Sequence, residues 1–146
     1  MDIKTTPYTQ SLKALSVHPE FAMQIAWGEK TMEFRSWATK HRGDLLICST
    51  AHPLKKGTIA GHALCIADLK DCVDFLDDDG NTVYAWVLEN VRLIVPVPIS
   101  GKQRLWDFTP EENKPLQIIG TNEYLNSLPE EEDDAIFSQV WQPLIF

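Results

Sequence analysis

Apolar and polar positions along the chain change period several times, and each change marks an element. Leu12 to Val17 carries apolar residues at 12, 14, 15 and 17 and predicts a first strand. Pro19 suits the first turn of a helix, where its missing N–H costs nothing, and Gly28 suits the residue just past the end. Between them Phe21, Ala22, Ile25 and Ala26 share one face at helical spacing, which predicts a helix over about 19–27. His18 before it is a poor N-cap. From Thr31 to Trp37 the period drops to two: Met32 and Phe34 point one way, while Thr31, Glu33, Arg35 and Trp37 point the other. Asp44 to Thr50 is a second apolar strand, Lys55-Lys56-Gly57 a turn, and Thr58 to Val73 a strand-like stretch in which Gly61 marks a bulge or a close backbone approach. Asp79-Gly80 between apolar segments is a hairpin signal, with both central residues expected at positive φ. Val83 to Val95 returns as a strand pair interrupted at Glu89-Asn90, and Pro96 and Pro98 stop regular pairing or confine it to an edge.

The remainder is less regular. Asp107 to Asn126 predicts no element, whereas Ser127 and Glu130 have capping-box spacing and open a last helix reaching about Trp141, before Pro143. The acids at 130–134 favour the start of that helix through its dipole. The order of strand, helix, several strands and helix is not an alternating βαβ pattern. It predicts a mainly β (α+β) fold: a small β-barrel with a short helix after the first strand and a C-terminal helix. Residues 1–11 form an N-terminal tail, 12–108 the barrel, and 109–146 a C-terminal extension packing on it. Phe21, Trp27, Phe34, Tyr84 and Trp86 are expected to fill the barrel, as is Trp106. The apolar end Leu144-Ile145-Phe146 packs onto the barrel or into a second molecule.

Composition narrows the class. With 146 residues, 44% hydrophobic and 23% charged, the chain has the size and core content of one folded domain. No apolar run approaches the ~20 residues of a membrane span, and the polar first ten residues do not read as a signal peptide. Cys48, Cys65 and Cys72 form no C-x-x-C pair, so neither a disulfide framework nor a thiolate zinc site is expected, and a reduced cytoplasmic setting is. His18, His41, His52 and His62 have no metal-ligand spacing. Asp77-Asp78-Asp79-Gly80 lacks the alternating ligands and closing glutamate of a calcium loop, and turn chemistry accounts for it. No metal and no cofactor are therefore implied, and nothing sets the oligomeric state.

Charge is more informative than its sum of −8. Residues 1–60 carry eight basic and five acidic groups, a net +3, and residues 61–146 carry five and sixteen, a net −11. This balance argues against coating nucleic acid by bulk charge and leaves room for a small basic cleft in the first half. The segment that could supply it is Gly28-Glu29-Lys30-Thr31-Met32-Glu33-Phe34-Arg35. Lys30 sits at a helix-to-strand corner, and Glu33, Arg35 and Trp37 share a strand face. A guanidinium can give paired hydrogen bonds to a phosphate or a base carbonyl, Glu33 can fix its rotamer or accept from an amino group, and Trp37 can stack on a base. An ordinary ion pair worth roughly 0–1 kcal/mol on a half-exposed strand face fits the same pattern. Ser49 and Thr50 end a strand and could give hydroxyl contacts or simply cap it. Lys102, Arg104 and Trp106 form a second basic–aromatic group.

The chain also resembles a known family, the ASCH domains, relatives of the PUA RNA-binding barrels. The resemblance rests on A-L-S-V-H-P (14–19), G-E-K-T-M-E-F-R-S-W (28–37), R-G-D-L-L-I-C-S-T (42–50), G-x-A-L-x-I-A-D-L (61–69) and P-V-P-I-S-G-K-Q-R-L-W (96–106), and covers about residues 12–108. It implies a PUA-like pseudo-barrel whose cleft beside the first helix is lined by Lys30, Glu33 and Arg35, with Ser49 and Thr50 nearby. It also implies binding of RNA or of a nucleoside or nucleotide. Some small relatives are amidohydrolases removing acyl groups from the exocyclic nitrogen of cytidine, and others are ribonucleases. The small hydrolases read G-x-K-T-x-T-x-R; here Lys30 matches their lysine and Glu33 stands at their second threonine.

Three readings follow. The first is a binding module for RNA or a nucleotide using Lys30, Glu33, Arg35, Trp37, Ser49, Thr50 and Lys102. The second is an enzyme, an amidohydrolase on N4-acylated cytidine or a ribonuclease, with Lys30 and Glu33 as the catalytic pair; a desolvated lysine can act as base or nucleophile, although an adjacent carboxylate favours its charged form. The third is a protein-interaction adaptor using the apolar C-terminal end.

Overall fold

A computed structural model describes residues 3–146; Met1 and Asp2, the start of the expected tail, lie outside the described residues. The elements in chain order are β1 (Thr6–Tyr8), β2 (Leu12–Val17), α1 (Pro19–Ala26), β3 (Met32–Arg35), β4 (Gly43–Ser49), β5 (His62–Leu76), β6 (Thr82–Pro98), β7 (Leu105–Phe108), β8 (Leu116–Thr121), α2 (Asn122–Ser127), α3 (Glu130–Val140) and a final 3₁₀ turn (Gln142–Leu144). This is a mainly β, α+β architecture. Among the described residues no helix is long and apolar enough to cross a membrane.

All eight strands belong to one sheet, ordered β1-β8-β6-β5-β4-β2-β7, with β3 added beside β6. The ladders are antiparallel except β2 with β4. The order has two ends with no ladder joining β1 to β7, so the sheet is not closed into a barrel. Both of its faces are nonetheless buried. On one face Leu15, Ile47, Leu64, Leu69 and Trp86 pack with α1, α2 and α3. On the other Leu12, Ala14, Leu46, Cys48, Ile66 and Ile94 pack with Tyr8 of β1 and with Trp106 and Phe108 of β7. Both ends of the strand order thus feed a single cluster to which no helix contributes. This explains why β4 reads as a continuous apolar run rather than an alternating one: it is a central strand covered on both sides.

The long β5–β6 hairpin organises the rest. Its turn uses Asp77, whose carboxylate accepts from the Asp79 and Asn81 backbone N–H groups. Only Gly80 is at positive φ, so the turn is not the two-residue form with both central residues left-handed. Glu89-Asn90 does not break the return strand; Asn90 adopts φ +48° inside one 17-residue strand, where the β5 register shifts. Pro96 and Pro98 remain in that strand, where another register shift accommodates the missing donor. The free edge of β6 is divided, with residues 84–87 taking β3 and residues 92–94 taking β8.

Two stretches depart from expectation. Residues 107–126 hold the end of β7, all of β8 and most of α2, which the dense Pro, Asn and Glu between short apolar pieces concealed. Ser127 does not cap α3: it closes α2, its hydroxyl donating to the Tyr124 carbonyl, and Pro129 occupies the cap position without a side-chain bond. Within the expected tail, residues 6–8 pair with β8. At the other end Phe146 exchanges backbone hydrogen bonds with Gly57 and Thr58, while its ring stays exposed.

Tyr8 ties β1 across to β4. Its hydroxyl donates to Asp44 at 2.8 Å, and Arg92 grips the other carboxylate oxygen at 2.8 Å. Burial, then the bond to Asp44 and its charge, push the Tyr8 phenol up to about 12. Burial works to raise Asp44, but the bonds from Arg92 and Tyr8 and the nearby positive charge outweigh it and hold the carboxyl below its ordinary value. The neutral phenol therefore stabilises the fold below the ordinary tyrosine value of 10.0, and that contribution is lost as pH rises towards 12. The Asp44 carboxylate contributes above the ordinary carboxylate range and loses its effect as pH falls through the lowered value. Tyr8→Phe is expected to cost about 1 kcal/mol in urea unfolding at neutral pH. The gap to wild type should narrow as the pH is raised from 10.0 towards 12; a constant gap across that range would contradict the assignment.

Candidate functional site

The corner after α1 is pinned on both sides. Gly28 adopts φ +79°, a left-handed helix end that a side chain would strain. Its N–H bonds back to Ile25, and the N–H groups of Glu29 and Lys30 both bond to the Gln24 carbonyl. From α2, the Asn122 amide donates to the Ala26 carbonyl, satisfying another orphan acceptor of the helix end. One residue past Lys30, the Thr31 carbonyl accepts from Leu88, and the β3–β6 ladder begins. The backbone of Lys30 is thus held between a helix cap and a sheet edge.

In β3 the alternation is as expected, but its sense of burial is inverted. Glu33 is 7% exposed, on the face that carries fully buried Trp86, whereas Met32 and Phe34 face outward at 42% and 49%. The Glu33 carboxylate accepts from the Arg35 guanidinium at 2.8 Å and lies 3.5 Å from the Lys30 ammonium. The same Arg35 nitrogen donates to the Ser16 carbonyl of β2 at 2.8 Å. Arg35 Nε is buried with no partner among the described residues. The Lys30 ammonium also lies 4.9 Å from the Phe34 ring centroid and 5.3 Å from that of Phe21.

These groups line a cleft of about 1040 Å³. The sequence-proposed residues divide within it. Lys30, Glu33, Arg35, Thr50 and Lys102 line the cleft together. Ser49 and Trp37 do not: the Ser49 hydroxyl is tied to the backbone of His62, and Trp37 packs edge-on to Trp86 at 4.7 Å with the Arg104 guanidinium 4.3 Å over its ring. Leaving β3 at Arg35 ends the strict alternation that placed Trp37 with Glu33 and Arg35. Lys102 comes from the loop between β6 and β7, seated where Gly101 meets β2; a Cβ there would collide with the Ser16 hydroxyl. The loop therefore approaches β2 closely at this point.

Sequence reasoning missed other residues of the cleft. Phe21 and Phe34, expected in the core, are 41% and 49% exposed and line it, as does His18; Arg104, grouped with Lys102 in the sequence as a second basic–aromatic set, lines it too. Phe21 lies off the buried stripe of α1, which is formed by Ala22, Met23, Ile25 and Ala26. The neighbouring Glu33 and Arg35 held the signal for Phe34: if the charged pair turns inward, the alternate residues must turn out. Among the described residues no group of three or more His, Cys, Asp or Glu side chains is placed to hold a metal. The buried thiol of Cys48 is pushed up to about 12 by desolvation, and Cys65 is raised for the same reason, so neither offers a ready thiolate.

Electrostatically, the lining contrasts with the whole molecule. Four cationic side chains, Lys30, Arg35, Lys102 and Arg104, face a single carboxylate in a chain of net charge −8. That carboxylate already serves Lys30 and Arg35.

The ASCH domain family model matches residues 15–117. No curated protein matches the chain. Among solved structures, the chain is similar to the crystal structure of ASCH from Zymomonas mobilis, with 20% identity and a TM-score of 0.51 over 69% of this chain and 88% of that one. It is likewise similar to two mutants of that Zymomonas mobilis protein. A tyrosine-to-phenylalanine form gives 21% identity and a TM-score of 0.50, covering 68% of this chain and 90% of that chain. A serine-to-alanine form gives 19% and 0.51, covering 68% and 88%. At such identities the likeness is one of fold.

The ion-pair arrangement sets an expected outcome for stability. Glu33→Ala leaves Lys30 and Arg35 facing each other without their shared anion and should cost about 2 kcal/mol in urea unfolding. Glu33→Gln keeps an oxygen acceptor for Arg35 and should cost less. Equal stability of Glu33→Ala and wild type would show that the buried carboxylate does not hold the corner.

Proposed function

The chain belongs to the ASCH domain family, and on that premise we propose that it binds RNA or a nucleotide in the cleft lined by Lys30, Glu33 and Arg35. The observation that carries this reading is the concentration of four cationic groups around one engaged carboxylate, in a protein otherwise strongly acidic. Such a cleft attracts phosphate while the surrounding acidic surface disfavours a long duplex. Single nucleotides and short single strands are the ligands that fit both conditions. Arg35 Nε adds a buried donor that lacks an acceptor among the described residues. Lys102 in the same lining offers an ammonium, whereas the Thr50 hydroxyl already donates to the His52 carbonyl. Trp37 does not line the cleft, which leaves base stacking to the rings that do.

One observation favours a second reading, hydrolysis. Lys30 and Glu33 form a partly desolvated ammonium–carboxylate pair at 3.5 Å inside the cleft, the arrangement that proton transfer to a leaving group would use. The substrates would be an N4-acylated cytidine or an RNA phosphodiester.

Calorimetry with cytidine monophosphate and anisotropy with a short labelled single-stranded RNA, each over a range of salt, test the first reading. Affinity should fall with rising salt. Arg35→Ala and the surface variant Lys102→Ala should each weaken binding about tenfold, the loss of one charge-assisted bond. Binding insensitive to both substitutions would place the ligand elsewhere. Incubation with N4-acetylcytidine and with RNA tests the second reading: turnover that disappears in Lys30→Ala supports it, and turnover retained in Lys30→Ala excludes this pair as its source.

A further inference from the structure

We propose that Phe34 and Phe21 form a base-binding subsite at the rim of the cleft, so that the ligand is recognised as a nucleotide and not as a bare phosphate. The inference rests on the binding function proposed above and adds the chemistry of its specificity. Both rings line the same cleft as Lys30, Arg35 and Lys102, and both residues keep 41–49% of their surface open. They come from different elements, Phe21 from α1 and Phe34 from β3, and flank one ammonium, Lys30, at 5.3 and 4.9 Å.

The rings are held rather than loose. Phe75 of β5 meets Phe34 at 5.9 Å with an interplanar angle of 83°, an edge-to-face contact that sets the Phe34 ring against the sheet. Lys30, whose backbone is anchored at the helix cap, adds a cation–π contact to each ring. A half-exposed aromatic ring fixed in place has a hydrophobic face to cover and little entropy to lose when a base stacks on it. Phosphate-binding groups within the same cleft then give the two halves of a nucleotide separate partners: ring for base, cation for phosphate. Stacking tolerates any base, so this subsite selects for the presence of a base and not for its identity.

Calorimetry with cytidine monophosphate and with ribose 5-phosphate separates the parts. Wild type is expected to bind the nucleotide more tightly than the sugar phosphate. Phe34→Leu, a tolerable change at an outward-facing position, should weaken the nucleotide about tenfold and leave ribose 5-phosphate unchanged. Phe34→Trp should retain nucleotide binding, and Phe21→Leu should behave as Phe34→Leu to a smaller extent. If wild type binds the two ligands equally, or if Phe34→Leu weakens both alike, the subsite is refuted while the cationic cleft stands. If wild type binds neither ligand nor a short single-stranded RNA, the binding function fails and this inference with it.

Discussion

A buried carboxylate between two cations sets the terms for the whole site. Glu33 is almost completely enclosed, and an isolated carboxylate there would be strongly disfavoured by desolvation. Its stability depends on Lys30 and Arg35 being in place, and each is delivered by a different device. Lys30 is delivered by the left-handed helix end at Gly28 and the paired bonds to Gln24. Arg35 is delivered by the β3–β6 ladder and fastened to the Ser16 carbonyl of β2. A strand and a helix cap that share no ladder are joined through this one anion.

The sheet supplies the room in which that joint works. β6 is long enough for its outer edge to serve two partners in sequence, β3 near its start and β8 near its end. The positive-φ residue Asn90 lies between them and locally re-aims the strand. β3 consequently stands apart from the main strand order, with its Phe34 face toward the cleft and its Glu33 face on Trp86. A closed barrel would have paired every edge. Here burial of both faces, with residues of β1 and β7 in one cluster, holds the curl without the last ladder.

The elements legible in the sequence were those with a local cause. Pro19 and Gly28 bracket α1, whose helical span ends at Ala26 with Trp27 as its cap, and the Leu12–Val17 strand appears with its expected limits. The Lys30, Glu33 and Arg35 grouping was also visible, since strand spacing alone puts the last two on one face. What was hidden depends on distant partners. β1 has three residues and no core of its own, and exists because β8 offers an edge. β8 itself sits in a stretch crowded with turn residues. Ser127 has the spacing of a cap, but α2 ends there first, so the same hydroxyl serves the preceding helix. Trp37 was placed by continuing the period of two past Arg35, where the strand has already ended.

The inverted burial of β3 is the feature that local stability does not explain. Turning Phe34 outward forgoes part of the roughly 1.5–3 kcal/mol that enclosing such a side chain yields. Turning Glu33 and Arg35 inward returns little, because the attraction within a buried ion pair is largely offset by the desolvation of its members. The opposite facing, with Phe34 against Trp86 and the charges in water, follows the usual pattern of burial. Residues that break a local rule without a compensating gain in the fold are expected where a site is built. In this strand both halves of the departure converge on the same cleft, the charges from one face and the ring from the other. The departure of β3 from the usual pattern of burial is thus concentrated where it lines the cleft.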